Sequence, residues 1–189
     1  MKNTVFLFFV LVLSSCNSLL LRMNGMRNPE KPVALEEVIS FAQSIGIDTS
    51  RILFWTSSDA KAKFWRKFNY IPDLYVFDSN GNWLPYRDNA ACNAAGFSLA
   101  KEFCNYTFSS PDSSEQVEYY LSNLRKSDSS VVTSILPPGK SYTILIAWGR
   151  FLGPVAKEHL PKWQEDLLQN KDCVFQHYFV CFDRIKRQQ

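Results

Sequence analysis

Hydrophobic and polar positions fall into several distinct periods along this chain, and the changes of period mark its elements. Val5 to Leu13 is an unbroken apolar run, too short to span a bilayer, which takes about 20 residues. Leu35, Val38, Ile39, Ala42 and Ile45 keep helical spacing, and Gly46 stands where a helix ends. Arg51 to Trp55 has the length of a strand. Ser57 or Ser58 can cap the helix that follows, whose inner face is Ala60, Phe64 and Phe68 and whose Lys61, Lys63, Arg66 and Lys67 form the solvated side. Asp73 to Phe77 and Asn82 to Arg87 read as strands joined by Asp78-Ser79-Asn80-Gly81, a hairpin signal. A short helix is expected from Ala95 to Phe103, a break at Ser109 to Asp112, a helix through Val117, Tyr120, Leu121 and Leu124, and a link from Ser127 to Gly139. The last third reads β-α-β. Tyr142 to Trp148 is continuously apolar, as for a central strand covered on both faces. Pro154 suits a first helical turn, Pro161 should kink that helix, and Val174 to Phe182 is the closing strand.

The amino terminus has its own order: Lys2 is followed by the apolar run, then Ser14, Ser15 and Cys16. The run suits the core of a signal peptide, and Leu13-Ser14-Ser15-Cys16 resembles the lipobox of bacterial lipoproteins. The resemblance implies diacylglycerol on the Cys16 thiol, cleavage before Cys16 and acylation of the freed amine. A signal anchor running on through Leu19-Leu20-Leu21 fits less well. It would bury the polar block Ser14 to Ser18 and place Arg22 and Arg27 on the exported side. The organisation expected is a signal peptide over 1–15, a tether over 16–32 with breakers at Asn24-Gly25, Asn28-Pro29 and Lys31-Pro32, and one domain over 33–189. The expected location is the cell envelope, on a membrane through the lipid, facing the periplasm or the cell exterior.

Composition narrows the function classes. The chain has 189 residues, 46% hydrophobic and 21% charged, which suits a single cored domain and excludes wholesale disorder. A net charge of +3 with interleaved signs gives no case for nucleic acid. After Cys16, four cysteines remain: Cys92, Cys104, Cys173 and Cys181. An exported chain permits disulfides, three pairings are open, and free buried thiols are an equally ordinary outcome. Cys173 and Cys181 share strand parity, so they point to one face, too far apart to pair with each other.

Two passages resemble thioredoxin. Trp148-Gly149-Arg150-Phe151-Leu152-Gly153-Pro154-Val155 follows a buried strand and opens a helix, where that family has Trp-x-x-Trp-Cys-Gly-Pro-Cys; Leu152 and Val155 stand in place of both cysteines. Tyr70 to Asp78, with Ser79-Asn80-Gly81-Asn82, resembles the segment in which a cis-proline precedes the last hairpin of the sheet. The order departs from the family: Ser50 to Arg87 resembles its later half and Ser141 to Asp183 its earlier half, as in a circular permutation. The resemblance implies an α/β fold, a thioredoxin-like mixed sheet flanked by helices with rearranged element order, and places Pro72 beside the loop from Gly149 to Pro154.

Thioredoxin chemistry needs a low-pKa thiolate at a helix start and a second, resolving thiol, and Leu152 and Val155 supply neither. The surface is then expected to serve as a binding cleft for a protein or peptide, with Pro72, Trp148, Arg150, Phe151 and Pro154 around it. The bland alternative puts Trp148 and Phe151 in the core and leaves Arg150 as a loop charge. Two other functions stay open: a thiol-disulfide or peroxide-handling enzyme using Cys92, Cys104, Cys173 or Cys181, and a structural envelope lipoprotein. His159 and His177 sit in no metal-ligand pattern, and no phosphate- or dinucleotide-binding glycine motif is present, so no metal or cofactor is expected.

Overall fold

The computed structural model describes residues 26, 28–87, 94–133 and 136–186. Cys16 and Cys92 lie outside the described residues. In chain order the elements are α1 (Leu35–Ser44), β1 (Ile52–Trp55), α2 (Ser58–Phe68), β2 (Asp73–Phe77), β3 (Asn82–Leu84), α3 (Ala94–Lys101), β4 (Asp112–Gln116), α4 (Val117–Ser122), β5 (Leu124–Arg125), β6 (Ser141–Trp148), α5 (Pro154–Gln169) and β7 (Val174–Cys181).

One mixed sheet runs β4-β3-β2-β6-β7-β1-β5. β6 is its middle strand, as its continuous apolar sequence predicts. β6, β7 and β1 are parallel, with Ser141 opposite Val174 and Trp148 opposite Cys181. β2 runs antiparallel on the other side of β6, with Asp73 opposite Ala147. Strand alternation then sorts the side chains onto two faces. Ile144, Ile146 and Trp148 pack with Leu74, Val76 and Phe179 under α1, α3 and α5. Leu145 and Ala147 pack with Tyr75, Phe77 and Val180 under α2 and α4. The helices therefore cover both faces.

The local signals are satisfied by identifiable groups. Ser57 caps α2, its Oγ accepting the Ala60 N–H at 3.2 Å. Asn69, in the left-handed region at φ 45°, ends that helix. The hairpin turns at Gly81, at φ 81°, a left-handed conformation that favours glycine. Helix α5 begins on Pro154 and continues through Pro161 to Gln169. The Ile71–Pro72 bond is cis.

Two strands have no counterpart in the sequence expectations. β4 begins on the last residue of the expected break and runs through residues with no strand signal, because Asp112-Ser113-Ser114-Glu115-Gln116 shows no apolar alternation. It is held at the sheet edge by polar contacts, including the Gln116 amide donating to Asn82 Oδ1 at 2.6 Å and the Lys67–Asp112 ion pair at 2.9 Å. β5 takes Leu124 out of the expected helix and sets Arg125 beside Phe54.

Candidate functional site

The parallel strands β6, β7 and β1 end together at one edge of the sheet, and the helices that follow β6 and β1 leave from opposite faces. That divergence opens a crevice beyond the carboxyl ends of the strands, the usual place for a site in an α/β sheet. Two stretches of chain cross it. Residues 150–152, after β6, form a short 3₁₀ turn. The chain from Asn28 to Val33 runs over the edge and is fixed by a parallel bridge between Val33 and Ile185. Three adjoining hollows result, each walled by part of that segment.

A buried carboxylate organises the loop after β6. Asp183 accepts the main-chain N–H of Arg150 at 2.6 Å, and the Cys181 thiol lies 3.5 Å from the same oxygen. Burial raises the Asp183 pKa, and the Arg150 N–H opposes that rise. The Arg150 guanidinium turns away to Glu37 Oε2 at 2.7 Å. Glu37 also accepts the N–H of Ala34 at the start of α1, and these two contacts hold its pKa down. Lys61, on α2, donates to the Phe182 carbonyl at 2.7 Å; its burial depresses its pKa.

Beside this charged corner lies an apolar groove of about 450 Å³, lined by Ala62 and Trp65 of α2, Ile71, Phe151 and Phe182, with Pro29 and Glu30 at one end. Trp65 is 48% exposed there. Gly149 makes the groove wall compatible with the loop, because a Cβ at that position would collide with the Phe151 ring. The Phe151 ring therefore folds back over its own strand end.

The residues expected around the cleft separate on inspection. Arg150 and Phe151 line the hollows. Pro72 is buried directly behind Ile71, and Pro154 is exposed on the first turn of α5. Trp148 is not on a rim. It is fully buried: its parity puts it on the face of Ile144 and Ile146, where it stacks on Phe41 of α1. Trp65, Ile71 and Phe182, absent from the expected set, join Phe151 in lining the groove. The lysines of α2 are engaged as well: Lys61 at Phe182, Lys63 over the Tyr119 ring at 4.2 Å and Lys67 with Asp112. Their helical spacing concealed these contacts.

The cysteines divide likewise. Cys104 and Cys173 form a disulfide. Cys173 immediately precedes β7, level with Ser141, so the bond stands at the opposite end of the sheet from the crevice. The length of β6 separates them, about 25 Å for its eight residues. Cys181 is a free thiol at the crevice end, buried, with its pKa pushed well up by that burial. A thiol in that environment is a poor nucleophile. His177 is also buried and sits away from any cluster; among the described residues no group of three His, Cys, Asp or Glu side chains could hold a metal ion. No described helix is long and apolar enough to cross a membrane. The arrangement offers recognition of an apolar segment flanked by charge, and among the described residues it holds no pair of free thiols.

No protein-family model, curated protein or solved structure matches this chain.

Proposed function

We propose that this chain is a bacterial envelope lipoprotein, cut before Cys16 and held on a membrane by lipid on that cysteine. Its domain is, on this reading, a thioredoxin-like module that has kept a binding groove and dropped redox chemistry. The observation that carries the reading is the groove between Phe151 and Ile71. It lies where the loop after the central strand faces the start of β2, and the loop positions Leu152 and Val155 carry no thiol. The β6-α5-β7 unit, with antiparallel β2 and β3 beside it, supports the resemblance. A disulfide in the domain accords with export to an oxidising compartment. The ligand is an extended protein or peptide segment with an apolar side chain for the groove.

Two measurements test this. Cys16→Ala should release the protein from membranes or leave an uncleaved precursor; a mutant that still fractionates with membranes as a processed species defeats the anchor. A photo-crosslinking residue at position 62, in the lipidated chain in its own envelope, should give a discrete protein adduct that Phe151→Ala abolishes. An adduct pattern indifferent to Phe151→Ala defeats the groove.

A further inference from the structure

We infer that the crevice end of the sheet rests on an anionic bilayer surface, with Trp65 at the depth of the headgroups. The inference builds on the lipid anchor proposed above and adds the orientation of the domain and the chemistry of the surface it meets.

The chain reaches the described domain at this end. Asn28 to Val33 crosses the carboxyl edge of β7 and β1, and Val33 is bridged to Ile185. The residues between Cys16 and Asn28 can extend at most about 40 Å, so a lipid on Cys16 keeps this end of the domain within that reach of the membrane. The disulfide end stands a full strand length farther from the point of attachment.

The charge on this end suits a negative surface. Lys31, Arg184 and Lys186 are exposed around the hollows and Lys61 is partly so. Of the acids lining the hollows, Asp183 is buried on the Arg150 N–H, and Glu37, though exposed, is paired with Arg150, which leaves Glu30 as the exposed carboxylate outside these two contacts. Basic residues attract anionic lipid at short range. The apolar content of this end is of the interfacial kind. Trp65 is half exposed beside Pro29 and Arg184, and tryptophan favours the boundary between headgroups and acyl chains. The groove then opens along the headgroup layer, and a peptide reaching it has to arrive by way of the bilayer surface.

Trp65 is also the reporter, because Trp148 and Trp163 are fully buried and Trp55 and Trp83 are mostly so. The full, lipidated chain is reconstituted into phosphatidylcholine vesicles with and without phosphatidylglycerol, some acyl chains carrying bromine as a fluorescence quencher. Quenching should be strong with phosphatidylglycerol, weaker without it, and largely gone in Trp65→Phe. Arg184→Gln and Lys186→Gln should each weaken the contact about fivefold, the effect of about 1 kcal/mol per basic residue, while the protein still floats with the vesicles. A chain that floats with the vesicles yet shows quenching indifferent to phosphatidylglycerol and to Trp65→Phe overturns the orientation and leaves the anchor standing. A chain that does not float, and whose Cys16 carries no diacylglycerol mass, removes the anchor and the orientation together.

Discussion

The main-chain N–H of Arg150 donates to the buried carboxylate of Asp183 at 2.6 Å. This bond ties the loop after the central strand to the chain leaving β7, and so fixes the position of Phe151 over the groove. Asp183→Ala leaves a buried N–H without an acceptor and should cost about 1–3 kcal/mol. Asp183→Asn keeps an oxygen in place and should cost less. Urea unfolding of the two variants checks the ranking; equal losses would place the contribution in packing instead of the hydrogen bond.

Acid should weaken the fold through His177. Burial, with Arg51 nearby, depresses its pKa from 6.5 to about 4, while Asp48 acts weakly the other way. The folded state binds the proton less well than the unfolded chain does, so the neutral ring contributes full stability above pH 6.5. That contribution declines as pH falls from 6.5 towards 4 and levels off below. The full loss is roughly 3 kcal/mol, at about 1.4 kcal/mol per pH unit between the two values. Unfolding free energies measured across this window should fall less steeply for His177→Gln than for the parent chain. Parallel curves would remove His177 from the explanation.

Reducing the Cys104–Cys173 bond should lower the melting temperature. The bond closes a separation of 69 residues, and a loop of that size restricts the unfolded chain by roughly 4 kcal/mol on the chain-entropy account. Calorimetry with and without reductant reads the shift, and Cys104→Ser should reproduce it. No shift in either case would show that the bond contributes nothing to the native state.

Disulfide reductase activity should be absent. The helix starting at Pro154 has a positive dipole end but no thiolate to stabilise, since positions 152 and 155 are Leu and Val. Among the described residues the other candidates are a disulfide at the far end of the sheet and a buried thiol of raised pKa. Turnover of an insulin-type substrate by the folded protein, lost in a variant lacking Cys92, Cys104, Cys173 and Cys181, would restore the enzyme reading. Cys181 should also resist alkylation until the protein unfolds.

The parts of the fold written in short-range pattern were readable in advance. The unbroken apolar run from Tyr142 to Trp148 marks a strand covered on both faces, and Asp78-Ser79-Asn80-Gly81 marks a hairpin, because each signal is complete within a few residues. β4 was hidden because polar side chains hold it at an edge and no apolar alternation betrays it. In the site, Arg150 and Phe151 were legible from their place just after the central strand. Trp65, Ile71 and Phe182 were not, since the first two flank the end of α2, the third follows β7 far along the chain, and they meet only once the sheet is assembled. Trp148 was open between rim and core: a strand covered on both faces buries either parity, and only the packing of α1 shows that its last residue is covered as well.

The two hydrogen bonds at Val33, its N–H to the Arg184 carbonyl and its carbonyl to the Lys186 N–H, each 2.8 Å, act as a clasp between the two ends of the domain. If the chain ahead of Asn28 is pulled from a membrane, the clasp takes load together with the covalent path into α1, and much of that force passes into the residues that follow β7. A ligand gripped at Phe151 closes the circuit through Asp183 and the loop after β6. Tension between anchor and ligand would then run within one corner of the molecule, and the disulfide-bonded far end would stay slack. Mechanically, the domain is a short coupling, strained at one edge and idle over most of its core.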